Sequence, residues 1–350
     1  MYRYIGNKTK LSQTIVDEIK KDIPEKSTIV DLMAGTGAMS VEFRKNGFKV
    51  IANDVMTYSK HHLTVQLLLN GPMSFSLLSE EIGGEKYEDV LGYLNSLNPV
   101  KGYFYNEFSP EGTPANGSPS RKYFTSSNAS KIDAIREKIN RWIYEKKINP
   151  KQESLLKHTL IMAVNEVANI SGTYGYFLSS FSKSASQPII LSPVPFLKDG
   201  SIDNVVLQDF AENISPALKA DACYIDPPYM KRQYAANYHI LETIARGDYP
   251  VAVGMSGLRD WWDQYSCFCT KTKIFDSFGK IMQMNCPYFY ISYSEDGLIP
   301  IDTLKVFFEK YGEVTIKEIK YKRFRSNNSP LGKEILEYLI KVRRRNDEVR

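Results

Sequence analysis

Residues 28–53 restrict the possible folds more than any other stretch of the chain. Thr28-Ile29-Val30-Asp31-Leu32 is a short apolar run suited to a buried strand. Ala34-Gly35-Thr36-Gly37-Ala38 follows, then a helical stretch to about Lys45, Gly47 as its stop signal, and a second strand run from Lys49 to Asn53. Strand, glycine turn, helix and strand in that order make a β-loop-α-β unit, the start of a doubly wound sheet. Further strand runs appear at Val205-Val206-Leu207, Cys223-Tyr224-Ile225 and residues 288–292, 314–321 and 335–342. Helical spacing of apolar residues marks 9–21, 238–246, 273–284 and 302–311. The predicted fold is α/β, a doubly wound and mostly parallel sheet of seven strands.

Between about residues 57 and 199 the pattern changes. Amphipathic helices dominate, including 131–146 and 152–168, and a polar Gly/Pro/Ser/Asn loop occupies 109–120. A mainly helical subdomain inserted into the sheet domain accounts for this. The predicted organisation is 1–56 as the first part of the sheet domain, 57–200 as the insert and 201–350 as the second part. No internal repeat is visible.

Composition excludes several classes. A 350-residue chain with 43% hydrophobic and 24% charged residues can bury a full core. Its net charge of +5 is a mild bias that fits a polyanionic partner without requiring one. Cys223, Cys267, Cys269 and Cys286 show no CxxC spacing and the four histidines are scattered, so neither a metal site nor a disulfide framework is expected. Nothing approaches the roughly 18 consecutive apolar residues of a membrane span, and the N-terminus has no apolar signal-like core. The chain reads as reduced, soluble and cytoplasmic, with no membrane partner.

The chemistry concentrates at strand ends. The run Ala222-Cys223-Tyr224-Ile225 terminates in Asp226-Pro227-Pro228-Tyr229, where two prolines remove two backbone donors and leave acceptor oxygens beside a carboxylate and a ring. Such a set suits a planar group bearing an NH2. Gly35 and Gly37 allow close approach of a ligand to backbone, although the third glycine of a dinucleotide fingerprint is missing and a tight structural turn explains the pair equally well. Asp54, ending the second strand, can accept from ribose hydroxyls. Asp31 can receive the amino group of an amino-acid-like cofactor, and Asp209 stands where an adenine amino group can be read. Four carboxylates thus fall at the carboxyl ends of four strands, the edge where open α/β sheets bind ligands.

With these motifs, the chain resembles the adenine-specific DNA methyltransferases of the DNA adenine methylase class, in which the cofactor motif comes first, a target-recognition segment follows and DPPY comes late. The resemblance runs from Tyr4-Ile5-Gly6-Asn7-Lys8 to about Ser326. It looks closest to enzymes of type II restriction-modification systems, through Arg121-Lys122-Tyr123-Phe124-Thr125, Asn128-Ala129, Thr173-Tyr174-Gly175 and Arg232-Gln233-Tyr234. It departs from the common glycine motif only in Met33, where a phenylalanine is usual.

The resemblance implies a Rossmann-like methyltransferase sheet, S-adenosyl-L-methionine as cofactor and a flipped-out adenine in a short double-stranded DNA sequence as substrate. It places Tyr4 and Lys8 at the cofactor pocket, Asp54 on the ribose and Asp226 in catalysis. Asp226 and the Pro227 carbonyl would accept the amino hydrogens, Pro228 would shape the turn, and Tyr229 would stack on the base, with Tyr234 and Tyr238 closing over it. Candidate DNA contacts are Arg121, Lys122 and the Tyr174 loop in the insert, with Lys320, Lys322, Arg323 and Arg325 near the last strands. A separately acting restriction endonuclease and a monomeric state are further expectations. The rival readings are an RNA guanine-amino methyltransferase, some of which also use DPPY, and a catalytically silent DNA-binding protein.

Overall fold

The computed structural model describes residues 8, 11–198, 203–322 and 334–345. Seven strands form one sheet: β1 Thr28–Asp31, β2 Lys49–Asn53, β3 Val205–Leu207, β4 Ala222–Ile225, β5 Tyr288–Ser294, β6 Glu313–Lys322 and β7 Glu334–Arg343. Their spatial order is β3-β2-β1-β4-β5-β7-β6. The first five are parallel, and β7 runs antiparallel to both β5 and β6. All seven strand runs read from the sequence are present.

Position in the sheet explains the strand sequences. Central β4 is buried at every residue, as a strand covered on both faces must be, and it reads as an uninterrupted apolar run. Edge strand β6 instead exposes Lys317, Glu318 and Lys320, charges that discourage pairing with a further strand. The chain moves outward from β1 to β2 and β3, then returns to place β4 on the opposite side of β1. The crevice of an open sheet lies at such a reversal, outside the carboxyl ends of the strands. A core of Phe278, Phe289, Phe308, Ile291 and Ile340 joins β5 and β7 to helices Ile274–Ile281 and Ile301–Phe308.

The chain divides into two compact units. Of the described residues, the sheet unit holds those up to Leu63, those from 203 to Tyr234 that include β3 and β4, and those from Gln264 onward. The helical unit comprises Thr64–Lys198 together with Ala235–Asp263. Two features differ from the organisation expected above. The first division falls within helix Thr57–Leu68 rather than ahead of it, and a second excursion, after β4, belongs to the helical unit.

The helical unit is built on Ser126–Tyr144 and Pro150–Val167. The first starts five residues before the apolar periodicity suggests, because Thr125 caps it by accepting from the Asn128 amide. The second starts at Pro150, where Asn149 and Gln152 form a reciprocal capping box. Among the described residues no helix is long and apolar enough to cross a membrane.

Candidate active site

The sheet unit brings the strand-end carboxylates to one edge. Asp31 closes β1 and pairs with Tyr224 of β4, two residues before Asp226. After Asp31 the backbone turns through Gly35 and Gly37, both with positive φ (55° and 84°), a region glycine adopts without strain. Gly37 then caps helix Ala38–Lys45. The Asp54 carboxylate fixes this turn by accepting from the Gly35 amide at 2.8 Å and the Met56 amide at 2.8 Å.

Asp31 is 1% exposed, and its two oxygens differ. Oδ2 accepts from Ser40 Oγ at 2.6 Å, whereas Oδ1 is buried without a hydrogen-bond partner among the described residues. Burial, opposed by the Ser40 hydrogen bond and reinforced by the negative charges of Asp226 and Asp54, raises its pKa to about 7. An unpartnered buried carboxylate oxygen fits a cationic or N–H donor from a ligand.

Asp226 follows β4 directly. Lys8 Nζ lies 3.4 Å from Asp226 Oδ1 and 3.1 Å from Glu337 Oε2, and stands 5.3 Å from the centroid of the Tyr229 ring. The lysine is 5% exposed. Burial works against its charge, but Asp226, Tyr229 and Glu337 outweigh burial and hold its pKa well above the ordinary lysine value. For Asp226 itself burial dominates, Lys8 opposes it and Glu337 adds to it, leaving the pKa raised to about 6. Burial likewise lifts the Tyr229 hydroxyl to about 12, so this ring is neutral. Tyr229 is fastened by the Leu298 amide, which donates to its carbonyl at 2.9 Å, and by an edge contact with Tyr293 at 5.8 Å.

Two residues at this edge escaped sequence reasoning. Glu337 lies on β7 opposite Ser294 at the end of β5, so only the antiparallel pairing of the last strand brings it to Lys8. Asn53 ties three strand ends together, donating to the carbonyls of Leu32 and Asp209 and accepting from the Asp209 amide. Asp54 beside it drew attention because a carboxylate is a familiar ribose acceptor; an asparagine bridging backbone has no such signature. Asp209 is exposed, and its Oδ1 accepts from Phe210 N and Asn213 Nδ2 at the start of a short helix.

Two expectations in the helical unit require correction. Arg121 is 0% exposed, pairs with Glu107 at 2.9 Å and donates to the carbonyls of Glu107, Gly254 and Met255. A guanidinium with these partners, inside the unit, is not available to a phosphate. Tyr174 is also 0% exposed, with its hydroxyl on Asn165 and its carbonyl accepting from Tyr123 and facing His239 Nε2, whereas neighbouring Tyr176 is 56% exposed and stacks on Phe177. Tyr238 is buried in the same unit and packs edge-on against Tyr174. Lys122 is exposed and Tyr234 half-buried. Lys322 ends β6, while Tyr4, Arg323 and Arg325 lie outside the described residues.

Known proteins share sequence with this chain. The pattern described as D12 class N6 adenine-specific DNA methyltransferase matches residues 4–307. The chain is 32% identical over 331 residues to the type II methyltransferase M.NlaIII of Neisseria lactamica, covering 93% of each chain. It is 31% identical over 348 residues to the type II methyltransferase M.FokI of Planomicrobium okeanokoites, covering 98% of this chain and 52% of that one. Over 351 residues it is 32% identical to the modification methylase LlaI of Lactococcus lactis subsp. lactis, with coverage of 97% and 54%. The chain therefore spans about half the length of M.FokI and LlaI and nearly all of M.NlaIII. The family pattern spans most of the chain and the likeness to M.NlaIII nearly all of it, and the chain belongs to the D12 class of N6 adenine-specific DNA methyltransferases.

Proposed function

We propose that the chain methylates the N6 amino group of an adenine flipped out of a short specific sequence in double-stranded DNA, as the modification partner of a separately acting restriction endonuclease, and that it works as a cytoplasmic monomer. The observation that carries this reading is the Asp226 carboxylate, held at the β1/β4 reversal beside Tyr229 and one lysine, in a family that acts on adenine. The methyl donor is S-adenosyl-L-methionine, which supplies an electrophilic sulfonium methyl. The chain fits it through the unpartnered Asp31 Oδ1 for the cofactor's ammonium, the Gly35 and Gly37 turn for close approach and Asp54 for ribose hydroxyls. Tyr4, Lys8 and Asp209 complete the assignment on the basis of their sequence positions.

An adenine amino nitrogen is a poor nucleophile because its lone pair is delocalised into the ring. Asp226 and the Pro227 carbonyl would accept hydrogen bonds from its two N–H groups, drawing the nitrogen toward tetrahedral geometry and freeing its lone pair for the methyl group that the cofactor would supply with loss of S-adenosylhomocysteine, and Asp226 would take the proton the nitrogen then releases. Orientation and acceptor electrostatics account for the rate without a covalent enzyme intermediate. Tyr229 supplies a stacking face, and Lys8 keeps Asp226 ionised. The base must leave the duplex first, at a cost of a few kcal/mol.

Incubation with labelled S-adenosyl-L-methionine and genomic DNA, followed by modified-base mapping, tests this reading. N6-methyladenine at one short motif is expected, whereas label in rRNA and none in DNA overturns it. Asp226→Asn is expected to lower kcat by about 10²-fold or more while cofactor binding persists.

A further inference from the structure

The excursion Ala235–Asp263 is held to the rest of the helical unit in an unusual way. Between Asp248 and Gly254 alternate backbone carbonyls each accept from a side chain of the 64–198 body. Arg136 donates to Asp248, Tyr103 to Pro250 at 2.8 Å, Asn116 to Ala252 at 2.6 Å and Arg121 to Gly254 at 2.8 Å. At the tip, Val253 and Leu258 exchange both backbone hydrogen bonds, and Arg121 also reaches the Met255 carbonyl. Gly257 turns at φ 67°, and a Cβ there would meet Arg121 Nε at 2.8 Å. At the foot, Arg259 grips both oxygens of Asp248, at 2.9 and 2.7 Å.

Fixing alternate carbonyls fixes the side chains between them. Tyr249, Val251, Val253 and Met255 are 57, 72, 57 and 54% exposed, while Ala252 between them is 3% exposed. Single exposed apolar residues are ordinary, but four within seven residues on a backbone this firmly braced are not. The body orders the segment, holding the Tyr249 ring 4.3 Å from the Arg136 guanidinium and edge-on to Tyr103, and leaves Val251, Val253 and Met255 outward, which is the economy of a preorganised recognition element.

We propose that the stripe Tyr249, Val251, Val253 and Met255 is a surface for double-stranded DNA, meeting base edges and thymine methyl groups in a groove. This inference rests on the DNA-methylating reading above. The family acts on DNA. The stripe offers methyls and a ring and no charge, and the acid at its foot is already neutralised by Arg259; it thus suits base edges rather than phosphates. Alternate residues of an extended chain, about 6.6 Å apart, span nearly two base steps of about 3.4 Å, a spacing open to Tyr249, Val251 and Val253, while Met255 stands on the turn that follows at residues 254–257. Target reading is thereby shared between the insert before DPPY and the excursion after it.

The triple variant Val251→Thr/Val253→Thr/Met255→Gln tests this, with Leu77→Gln as a control at another exposed apolar site, 71% exposed, in the same unit. Both proteins are expected to keep the parent's melting temperature and S-adenosyl-L-methionine affinity. The triple variant alone is expected to bind duplexes selected by the parent from a random library about tenfold more weakly and to shift the spectrum of methylated sequences. Unchanged duplex affinity and spectrum overturn the proposal, as does a parent that self-associates in solution through contacts the triple variant abolishes. A parent that binds selected duplexes yet methylates none refutes the catalytic reading instead, and the duplex affinities still decide the role of the stripe.

Discussion

Lys8 faces two carboxylates with different demands. In the proposed reaction Asp226 must stay ionised to accept amino hydrogens, and Lys8 favours that state. Glu337 competes for the same ammonium at 3.1 Å and adds negative charge beside Asp226, so it leaves Asp226 more basic than an exclusive Lys8 pair would. Asp31, Tyr224 and Tyr229 are the other titratable groups coupled to Asp226. With Asp226 near 6, kcat is expected to fall as pH drops through that value. Lys8→Gln should move this acidic limb to higher pH and Glu337→Gln should move it to lower pH. Single-turnover rates between pH 5 and 8.5 measure both, and shifts in the same direction would refute the arrangement.

At the scale of elements, buried arginines organise the helical unit. Arg121 links Glu107 in one segment to the 254–255 carbonyls of another, and truncating one partner of a buried ion pair leaves the other charge without compensation. Arg121→Gln is expected to destabilise the protein by about 3 kcal/mol or more. Its salt dependence of DNA binding should match the parent's, because no phosphate contact is lost. Denaturation and binding titrations over a range of salt concentrations separate the cases. An unchanged melting temperature with a salt slope about one lower would restore Arg121 to the DNA surface.

For the whole molecule, ligand-site chemistry opposes stability. Asp31 has its pKa raised from the ordinary 3.8 to about 7, so its contribution to stability is complete below pH 4 and is lost as pH rises through 7. Above that, the fold carries a buried anion with one oxygen that has no hydrogen-bond partner among the described residues. Asp31→Asn is expected to raise the melting temperature at pH 8 by several degrees, with little gain at pH 4, and to lose S-adenosyl-L-methionine affinity. In the parent, cofactor binding should tighten from pH 6 to 8 as Asp31 ionises. Calorimetry across that range, in buffers of different ionisation enthalpy, reports the accompanying proton release; pH-independent binding argues against Asp31 as the ammonium acceptor.

Strand identity was legible from residues 28–53 and from the later apolar runs, because burial of a strand is written in its own consecutive side chains. The glycine turn, Asp31, Asp54 and DPPY were legible for the same local reason: each lies within a few residues of the strand end that positions it. Helix starts were less so, since Thr125 and Asn149 cap outside the apolar period that marks a helix. Tertiary structure alone decided the rest. Glu337 reaches Lys8 across 329 residues through antiparallel β7, and Arg121 reaches Gly254 across 133. A basic side chain reads alike in sequence whether it meets solvent, a phosphate or a buried carbonyl. Its role depends on partners distant in the chain, which only the packing of the two units' own elements supplies.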